Sequence, residues 1–538
     1  MPEDSIQDDK PTGLDLTAGE VVHIENEEKL GVDTEHGAYP PGNQYEHVLE
    51  AHKVNYLGKG YLKLYLACLL VYLNSTMKGY DASMMASVNV LPSYLAYFNL
   101  KDAPASSSIV FAIFQVGQIA SCFFYWTMDV FGRKLVLFVS CIGVIACIII
   151  QGTAVKLSVF IGGRFLGSVF STTASLTSVV YLVEIAPPLY RGAVAGTFNT
   201  LYYMGALIAS FAAYGATIHY DSSSNITWKL PTYLQILCPA IMAMFVYFIP
   251  ESPRWLAMRN REEEARAIIV KYHANGDPDH PAVELEMEEI KHSLMLTREE
   301  EGTRPWEIAL DFRKLFVTRA RRYRTILAGS MGWVGEFCGS NIASYYLPEM
   351  AKAVGITDTN TLLLLTAMYF VVAWIAAIIG ANLHDRFGRR KIMTTAMGCL
   401  TAVFAVMAVT TAEFQRTGNK AASYTMLTFI FLFGITFSFA FTPMQQVYPA
   451  EVMDNQMRAR GIAFFGVNSG IAAFTSVMIA QIALDSISYN FYTFYCVWDF
   501  VLLLVIFFFF VETKERTLEE LDWIFEAKNP RKASTAKM

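Results

Sequence analysis

Long apolar runs constrain this chain more than any other feature of its sequence. Twelve mostly apolar stretches of about 20 residues recur between residues 61 and 511, and a helix of about 20 apolar residues is long enough to cross the hydrocarbon core of a bilayer. Only 17% of the residues are charged, whereas soluble globular proteins carry about a quarter. The sequence therefore predicts an all-α membrane protein with twelve transmembrane helices.

The predicted helices form two groups of six, separated by a long polar insert. The first fifty residues carry thirteen acidic and two basic side chains and almost no apolar run, so we expect them to be disordered. In the insert, apolar residues lie three and four apart among charges, which indicates short amphipathic helices on the membrane surface. The predicted segments are an acidic cytoplasmic tail over 1–58, a six-helix half over 59–249, a cytoplasmic linker over 250–323, a second six-helix half over 324–511 and a cytoplasmic tail over 512–538.

The charges of the loops predict how the chain is oriented in the membrane. Arginine and lysine concentrate in the loops on the side of "FGRK" and are sparse in the opposite loops. The positive-inside rule then places both termini and the linker in the cytoplasm. The sequon Asn225-Ile226-Thr227 lies in a loop on the opposite, outer side, so Asn225 is a candidate glycosylation site.

Two motifs occur once in each half. "DVFGRK" begins at Asp129 and "DRFGRR" at Asp385, 256 residues later in a chain of 538. "YLVEIAPPLYRG" and "YPAEVMDNQMRARG" follow the fourth helix of each half. Duplicated halves with a site between them are typical of transporters, so we expect acid–base pairs at these helix ends to lock the halves when they close. The candidate gating charges in the two motifs are Asp129, Arg133, Glu184, Arg191, Asp385, Arg389, Glu451 and Arg458.

Further short motifs complete a family pattern. They are "GYD" (79–81), "GGRFLG" (162–167), "PESPRWL" (250–256), "SYYLPEM" (344–350) and "TPMQQVYPAEV" (442–452). With the duplicated loops, they resemble the sugar porters of the major facilitator superfamily over residues 60–525, and most of all the fungal lactose-permease and disaccharide or hexose transporter branch. The resemblance implies the major facilitator fold, with two pseudo-symmetric halves, and it adds Glu251 and Arg254 to the gating charges.

Four places depart from the family pattern, and one of them is Val179, which replaces the proline before Tyr181. Ala206 stands where the family often has a glutamine that touches sugar, and Gly335-Glu336 stands at a position that is often Gln-Gln. The motif after the last predicted helix reads "VETKERT" (511–517) instead of the usual "PETKGRT". These departures leave the expected fold unchanged, and they leave the identity of the sugar open.

Three ionisable residues lie within predicted membrane helices, where the cost of burying a charge makes each a functional candidate. Asp81 is in the first helix and Arg164 in the fourth. The resemblance implies that Asp81 binds a coupling proton and that Arg164 is its partner. The alternative partner for Asp81 is Lys78, three residues back on the same helix face. Glu336, in the seventh helix, is either a structural acid paired with a basic residue or part of the substrate cleft.

Polar and aromatic side chains near Glu336 are the candidates for binding a substrate. Sugars have hydroxyl groups that hydrogen-bond to amides and C–H faces that stack on aromatic rings. Both kinds of side chain occur together in the predicted seventh and tenth helices. The candidates are Glu336, Asn341, Tyr345, Tyr346, Gln445 and Gln446.

The resemblance implies a transporter that imports a mono- or disaccharide across the plasma membrane by proton symport with alternating access. The alternatives are a passive sugar facilitator, a carrier of a non-sugar polyol acid or secondary metabolite, and a sugar sensor, which the short C-terminal tail disfavours. The sequence has no motif of a nucleotide-binding loop, a zinc peptidase or a serine hydrolase, which argues against an enzyme. We expect a monomer that interacts with sugar, protons and the lipid bilayer, with no nucleic acid, cofactor, metal or catalytic residue.

Overall fold

A computed structural model gives the fold. It describes residues 54–100, 104–221, 223–300, 312–353, 355–453, 457–487, 489–514 and 518–535. Most of the tail that was predicted to be disordered therefore lies outside the described residues. Within the described ranges, the regular structure is entirely helical, which confirms the all-α prediction.

The described residues of the first half form nine α-helices. They are α1 (Lys59–Val88), α2 (Pro92–Tyr97), α3 (Pro104–Ser121), α4 (Thr127–Phe131), α5 (Arg133–Thr153), α6 (Leu157–Ile185), α7 (Arg191–His219), α8 (Ile226–Leu234) and α9 (Leu237–Phe245). Three further α-helices lie in the described part of the segment that was predicted to be a linker. They are α10 (Pro253–Met258), α11 (Glu262–His273) and α12 (Pro281–Glu300).

The described residues of the second half and the C-terminal tail add ten α-helices. They are α13 (Arg319–Glu336), α14 (Ser340–Tyr345), α15 (Leu347–Ala353), α16 (Thr359–Phe387), α17 (Arg389–Thr417), α18 (Lys420–Val452), α19 (Arg458–Ile487), α20 (Asn490–Phe509), α21 (Leu518–Glu526) and α22 (Pro530–Thr535). In the described part of the chain, nine stretches are long and apolar enough to cross a membrane. The other three predicted spans correspond to the more polar or shorter helices α1, α3 and α13–α14, so the count of twelve stays a prediction.

The seventh predicted span, over 324–347, is interrupted. Helix α13 ends at Glu336 and α14 begins at Ser340, with Gly339 between them in a left-handed conformation at φ 88°. Side chains of α14 satisfy carbonyl groups that the last turn of α13 leaves free. Ser340 Oγ donates to the Gly335 carbonyl at 2.7 Å, and Asn341 Nδ2 donates to the Glu336 carbonyl at 2.8 Å. The break therefore places Glu336 at a helix end inside the bundle.

The two halves are joined along two pairs of helices, α7 with α16 and α3 with α19. We call the ends that carry the "DVFGRK" and "DRFGRR" loops the inner ends. At the outer ends, α1 also contacts α14 and α15, and Val90 packs with Ala351 and Leu362. Helices α6 and α18, whose inner ends carry Glu184 and Glu451, form no extensive contact in the described residues. Among the described residues, the halves are therefore in closer contact at their outer ends than they are between the inner ends of α6 and α18.

Each half carries a cap of short helices at its inner end. The linker helices pack on the first half, where His273 Nε2 lies 2.9 Å from the Ile185 carbonyl at the end of α6. The tail helices pack on the second half, where Arg319 Nη2 donates to the Lys528 carbonyl at 3.1 Å. The Ser534 hydroxyl accepts from the Glu512 backbone amide at 3.2 Å. The caps hold the inner loops in place.

Candidate functional site

Asp81 and Arg164 meet in the interior of the first half. Asp81 lies on α1 and Arg164 on α6, with relative exposures of 7% and 2%. Their Oδ1 and Nη1 atoms are 3.6 Å apart, and Arg164 Nη2 donates to the Asp81 backbone carbonyl at 3.4 Å. The Phe114 ring of α3 lies 5.4 Å from the guanidinium carbon, within cation–π range. The structure thus places Arg164, not Lys78, beside the Asp81 carboxylate.

Glu336 accepts hydrogen bonds from three side chains of the second half. Asn341 Nδ2 donates to Oε2 at 3.1 Å, while Ser469 Oγ and Gln445 Nε2 donate to Oε1 at 3.2 and 3.4 Å. The side chain of Glu336 is half-buried. The donors come from α14, α19 and α18, so the break after α13 brings three helices together around one carboxylate. A group of this kind can accept further hydrogen bonds from hydroxyls.

The structure does not gather all predicted substrate ligands around this carboxylate. Tyr346 is fully buried, its hydroxyl donates to the Val477 carbonyl at 3.2 Å, and its ring lies 5.3 Å from that of Phe111. It therefore packs between the halves with its hydroxyl committed to the backbone. Gln446 is exposed. The Tyr345 side chain lies outside the described residues.

At the inner end of the first half, Arg133 binds two carboxylates. Its Nη2 atom lies 2.8 Å from Glu184 Oε1 and 3.0 Å from Asp129 Oδ1. Glu251, which follows the sixth span, accepts the backbone amides of Arg133 and Lys134 at 3.2 and 3.3 Å. This carboxylate satisfies amides at the start of α5, where negative charge is favourable. We call these four residues with Gly132 the first latch: Asp129, Gly132, Arg133, Glu184 and Glu251.

The inner end of the second half repeats this arrangement. Arg389 Nη2 lies 3.1 Å from Glu451 Oε1. Glu512, which follows the last span, accepts the backbone amides of Arg389 and Arg390 at 2.9 and 3.2 Å. The glycines that precede the two arginines have matching conformations, with φ of 88° at Gly132 and 94° at Gly388. We call the second set the second latch: Gly388, Arg389, Glu451 and Glu512.

One other predicted gating charge, Arg191, is paired outside the two latches. Arg191, at the start of α7, pairs with Glu289 at 3.0 Å and with Glu286 at 3.8 Å, both on α12. It therefore joins the first half to the linker and does not pair with Glu184. Arg254 is exposed on α10. The side chains of Asp385 and Arg458 lie outside the described residues.

The candidate glycosylation site is at the opposite end of the first half. Asn225 is exposed immediately before α8, and its side-chain oxygen accepts from Trp228 Nε1 at 3.4 Å. The exposure is compatible with modification, and glycosylation stays a prediction. The first latch and this outer loop thus mark opposite ends of the same half.

The structure brings out functional groups that sequence reasoning missed. Glu512 lies in "VETKERT", which was read only as a departure from the family, although its place after the last span matches that of Glu251 after the sixth. Asp499 is fully buried in α20, and neither of its carboxyl oxygens has a hydrogen-bond partner among the described residues. Its position inside the apolar run "VWDFVLLL" was the available signal. His273 and Glu286 lie 2.7 Å apart and are buried in the linker. No motif in the sequence points to this pair.

Comparison with known proteins supports a transporter, which duplicated halves around buried charges also indicate. The family model described as "Sugar (and other) transporter" matches residues 67–525. The chain is 27% identical to the high-affinity glucose transporter of Kluyveromyces lactis over 86% of this chain and 85% of that protein. It is also 27% identical to the quinate permease of Neurospora africana over 88% of this chain and 90% of that protein.

Solved structures match the fold. The inward-open conformation of the xylose transporter XylE from E. coli superimposes with a TM-score of 0.69 at 20% identity, covering 86% of this chain and 99% of that one. The structure of the proton:xylose symporter XylE bound to 6-bromo-6-deoxy-D-glucose has a TM-score of 0.70 at 20% identity, covering 87% and 100%. The family match over most of the chain and the shared architecture give one conclusion. This chain belongs to the sugar porters of the major facilitator superfamily, a family of multi-pass membrane transporters and not of enzymes.

Proposed function

We propose that the protein imports a sugar or a related polyhydroxylated solute across the plasma membrane by proton symport, with Asp81 as the proton-binding residue. Both termini and the linker then lie in the cytoplasm, and a monomer is the transporting unit. The observation that carries the proposal is the buried, loosely held pair of Asp81 and Arg164, 3.6 Å apart.

The looseness of this pair suits a proton switch. A distance of 3.6 Å is too long for a hydrogen bond, and charge-assisted hydrogen bonds between ions of this type are usually about 2.7–2.9 Å. Two nitrogens of Arg164, Nε and Nη1, are buried without a hydrogen-bond partner among the described residues. Little therefore holds the guanidinium in place. A small displacement of α6 would remove it from Asp81, which would favour protonation of the carboxylate.

The latches supply the conformational part of the proposal. They join helices within each half, and α6 and α18 form no extensive contact where Glu184 and Glu451 lie. An inward-facing carrier has this arrangement, and closing the inner side would bring the two latches together. The names of the relatives support solutes of this class, since they include a glucose transporter, quinate permeases and a proton:xylose symporter.

The experiment is uptake by transporter-null cells that express wild-type protein or Asp81→Asn. We expect wild-type uptake of a labelled substrate, found by screening mono- and disaccharides and polyol acids, to be faster at pH 5 than at pH 7.5 and to collapse with a protonophore. Asn keeps the shape of Asp but cannot release a proton. Accumulation against a gradient should therefore vanish in Asp81→Asn, while exchange of preloaded substrate in vesicles survives.

Glu413→Gln is the matched control, because Glu413 is an exposed carboxylate near the outer end of α17. It should accumulate substrate like wild type. Accumulation by Asp81→Asn would exclude this residue as the coupling site. Wild-type uptake that ignores both pH and protonophore would instead identify a passive facilitator.

A further inference from the structure

Lys78 is a cation within the membrane domain that the proposed proton switch does not use. It lies on α1, three residues before Asp81, and is half-buried. Asp81 is paired with Arg164, so the nearest carboxylate on the same helix does not neutralise Lys78. In the described part of the chain, Lys78 makes no hydrogen bond and no ion pair within 4.0 Å. An ammonium group in such a place is costly, which makes it a candidate for function.

The acid that faces Lys78 belongs to the other half of the molecule. Glu336 is the carboxylate that acts electrostatically on Lys78, and Lys78 is the cation that acts on Glu336. The Cys122 thiol, which follows α3 directly, also acts on Lys78. Helix α1 contacts α14, the helix that follows Glu336. The positive charge of Lys78 and the negative charge of Glu336 therefore lie on adjoining elements of the two halves without forming an ion pair.

Glu336 does not depend on Lys78 for its hydrogen bonds. Its two oxygens already accept from Asn341, Ser469 and Gln445. The ammonium of Lys78 therefore keeps all three of its donor protons for a group that enters between the halves. That group meets a cation on the first half and an acceptor surrounded by amides on the second.

We propose that Lys78 binds a carboxylate of the substrate, so that the transported solute is a polyhydroxylated acid. Its carboxylate pairs with Lys78, and its hydroxyls donate to Glu336 and accept from the amides beside it. This orientation keeps the substrate carboxylate away from that of Glu336. A charge-assisted hydrogen bond to an ammonium is stronger than one between neutral groups, so the acid is preferred over the neutral compound of the same shape. The inference rests on the proposed transport function, because it needs a substrate path between the halves.

The test measures binding to purified protein in lipid nanodiscs by tryptophan fluorescence, since Trp333 lies one turn before Glu336 on α13. The probes are two matched pairs, D-glucuronate with D-glucose and quinate with its methyl ester. We expect at least one acid to bind about tenfold or more tightly than its neutral partner in wild type. Lys78→Gln should abolish this ratio, and Lys78→Arg should retain most of it.

Several results would overturn the inference. These are equal or weaker binding of both acids in wild type, no binding of either acid, or an acid preference that persists in Lys78→Gln. Recovery of wild-type binding in the double variant Lys78→Gln/Glu336→Gln would show that the two residues only neutralise each other. No proton gradient is present in this assay. Uptake that is insensitive to a protonophore would therefore refute symport without changing the ratio of the affinities for the acid and its neutral partner. Loss of that ratio would refute the role of Lys78 and leave symport untouched.

Discussion

The two halves of the molecule are alike at their inner ends and different in their interiors. At the inner ends, Glu251 and Glu512 each accept the first two backbone amides of a spanning helix. In the interiors, the first half holds a buried Asp81–Arg164 pair, whereas the second holds a carboxylate surrounded by neutral donors. In the proposed mechanism, the repeated parts let each half move as a rigid body, and the unrepeated parts bind the proton and the solute.

The latches also differ in how they are covered. In the first half, Trp255 of α10 lies over the loop and donates its indole N–H to the Asp129 carbonyl at 3.0 Å. In the second half, Lys514 Nζ donates to the Arg386 carbonyl at 3.0 Å. A cavity of about 420 Å³, lined by Arg386, Lys391, Lys514 and Glu512 among others, remains open there. The second latch is therefore more accessible to water, and equivalent substitutions should cost less in it.

The largest expected difference comes from removing the latch arginines. The side chain of Arg133 is 4% exposed and that of Glu184 8%, whereas those of Arg389 and Glu451 are 12% and 25% exposed. Arg133→Ala leaves the buried Glu184 carboxylate without its ion-pair partner and should cost about 3–5 kcal/mol. Arg389→Ala should cost about 1–2 kcal/mol.

The measurement is the melting temperature of each variant in detergent, with Arg416→Ala at the outer end of α17 as a control that should change little. A fall for Arg389→Ala as large as that for Arg133→Ala would show that the two latches are equally buried in solution. The difference in burial between the two arginine–glutamate pairs would then have no effect on stability.

The caps differ in their response to pH. His273 is buried, and both of its ring nitrogens face acceptors, the Glu286 carboxylate at 2.7 Å and the Ile185 carbonyl at 2.9 Å. Burial lowers the pKa of His273, but Glu286 and the carbonyl outweigh it, so the pKa is raised above the usual value of histidine. A raised pKa means that the stabilisation is complete below the unfolded pKa of about 6.5. It is lost as the pH rises through the folded pKa.

His273→Gln should therefore lower the stability of the first half by about 2 kcal/mol at pH 6, the value of a hydrogen-bonded charge. The difference from wild type should shrink as the pH rises. Melting temperatures of both proteins at each pH isolate this difference, because the other titratable groups are the same in the two proteins. Ser534→Ala in the second cap should show a difference independent of pH. A His273→Gln difference that stays constant with pH would show that the histidine is neutral throughout.

The latch glycines should respond alike. Gly132 and Gly388 have φ of 88° and 94° with ψ of 161° and 141°, an extended region with positive φ that is nearly confined to glycine. The added Cβ would also meet the carboxylates of Glu251 and Glu512 at 3.0 and 2.7 Å. Gly132→Ala and Gly388→Ala should each lower stability by about 1–3 kcal/mol. Gly215→Ala is the control, because this helical glycine has nothing within 4 Å of its Cβ position. Unequal losses at Gly132 and Gly388 would argue against equivalent loops.

Much of this architecture was predictable because it follows from local sequence. Apolar runs fix most of the spanning helices, and the duplicated motifs identify Arg133 and Arg389 as equivalent. Family resemblance identified the Asp81–Arg164 pair. The sequence did not reveal the break after Glu336, because hydropathy continues across it and the interruption depends on a left-handed Gly339.

Contacts between distant segments were the least predictable. The partner of Arg191 lies on the linker, and the hydroxyl of Tyr346 is committed to a carbonyl on α19. Neither follows from spacing, since side-chain direction in a bundle depends on the rotation of each helix against its neighbours. Lys78 was considered only as a local partner of Asp81, because helical spacing cannot show that Glu336 lies across the interface.

The smallest expected effect concerns the cover of each latch. Trp255→Phe keeps an aromatic side chain, although a smaller one, and removes the N–H that donates to the Asp129 carbonyl. The loss should cost about 1 kcal/mol because the acceptor stays covered. Lys514→Met removes the corresponding donor to the Arg386 carbonyl. Water in the adjoining cavity can replace this donor, so the loss should be roughly 0.5 kcal/mol or less.

Melting temperatures of the two variants, with Trp523→Phe on the exposed face of α21 as a control, measure the contrast. A larger loss for Lys514→Met than for Trp255→Phe would mean that the second latch is closed to water, and the difference in cover between the halves would not hold.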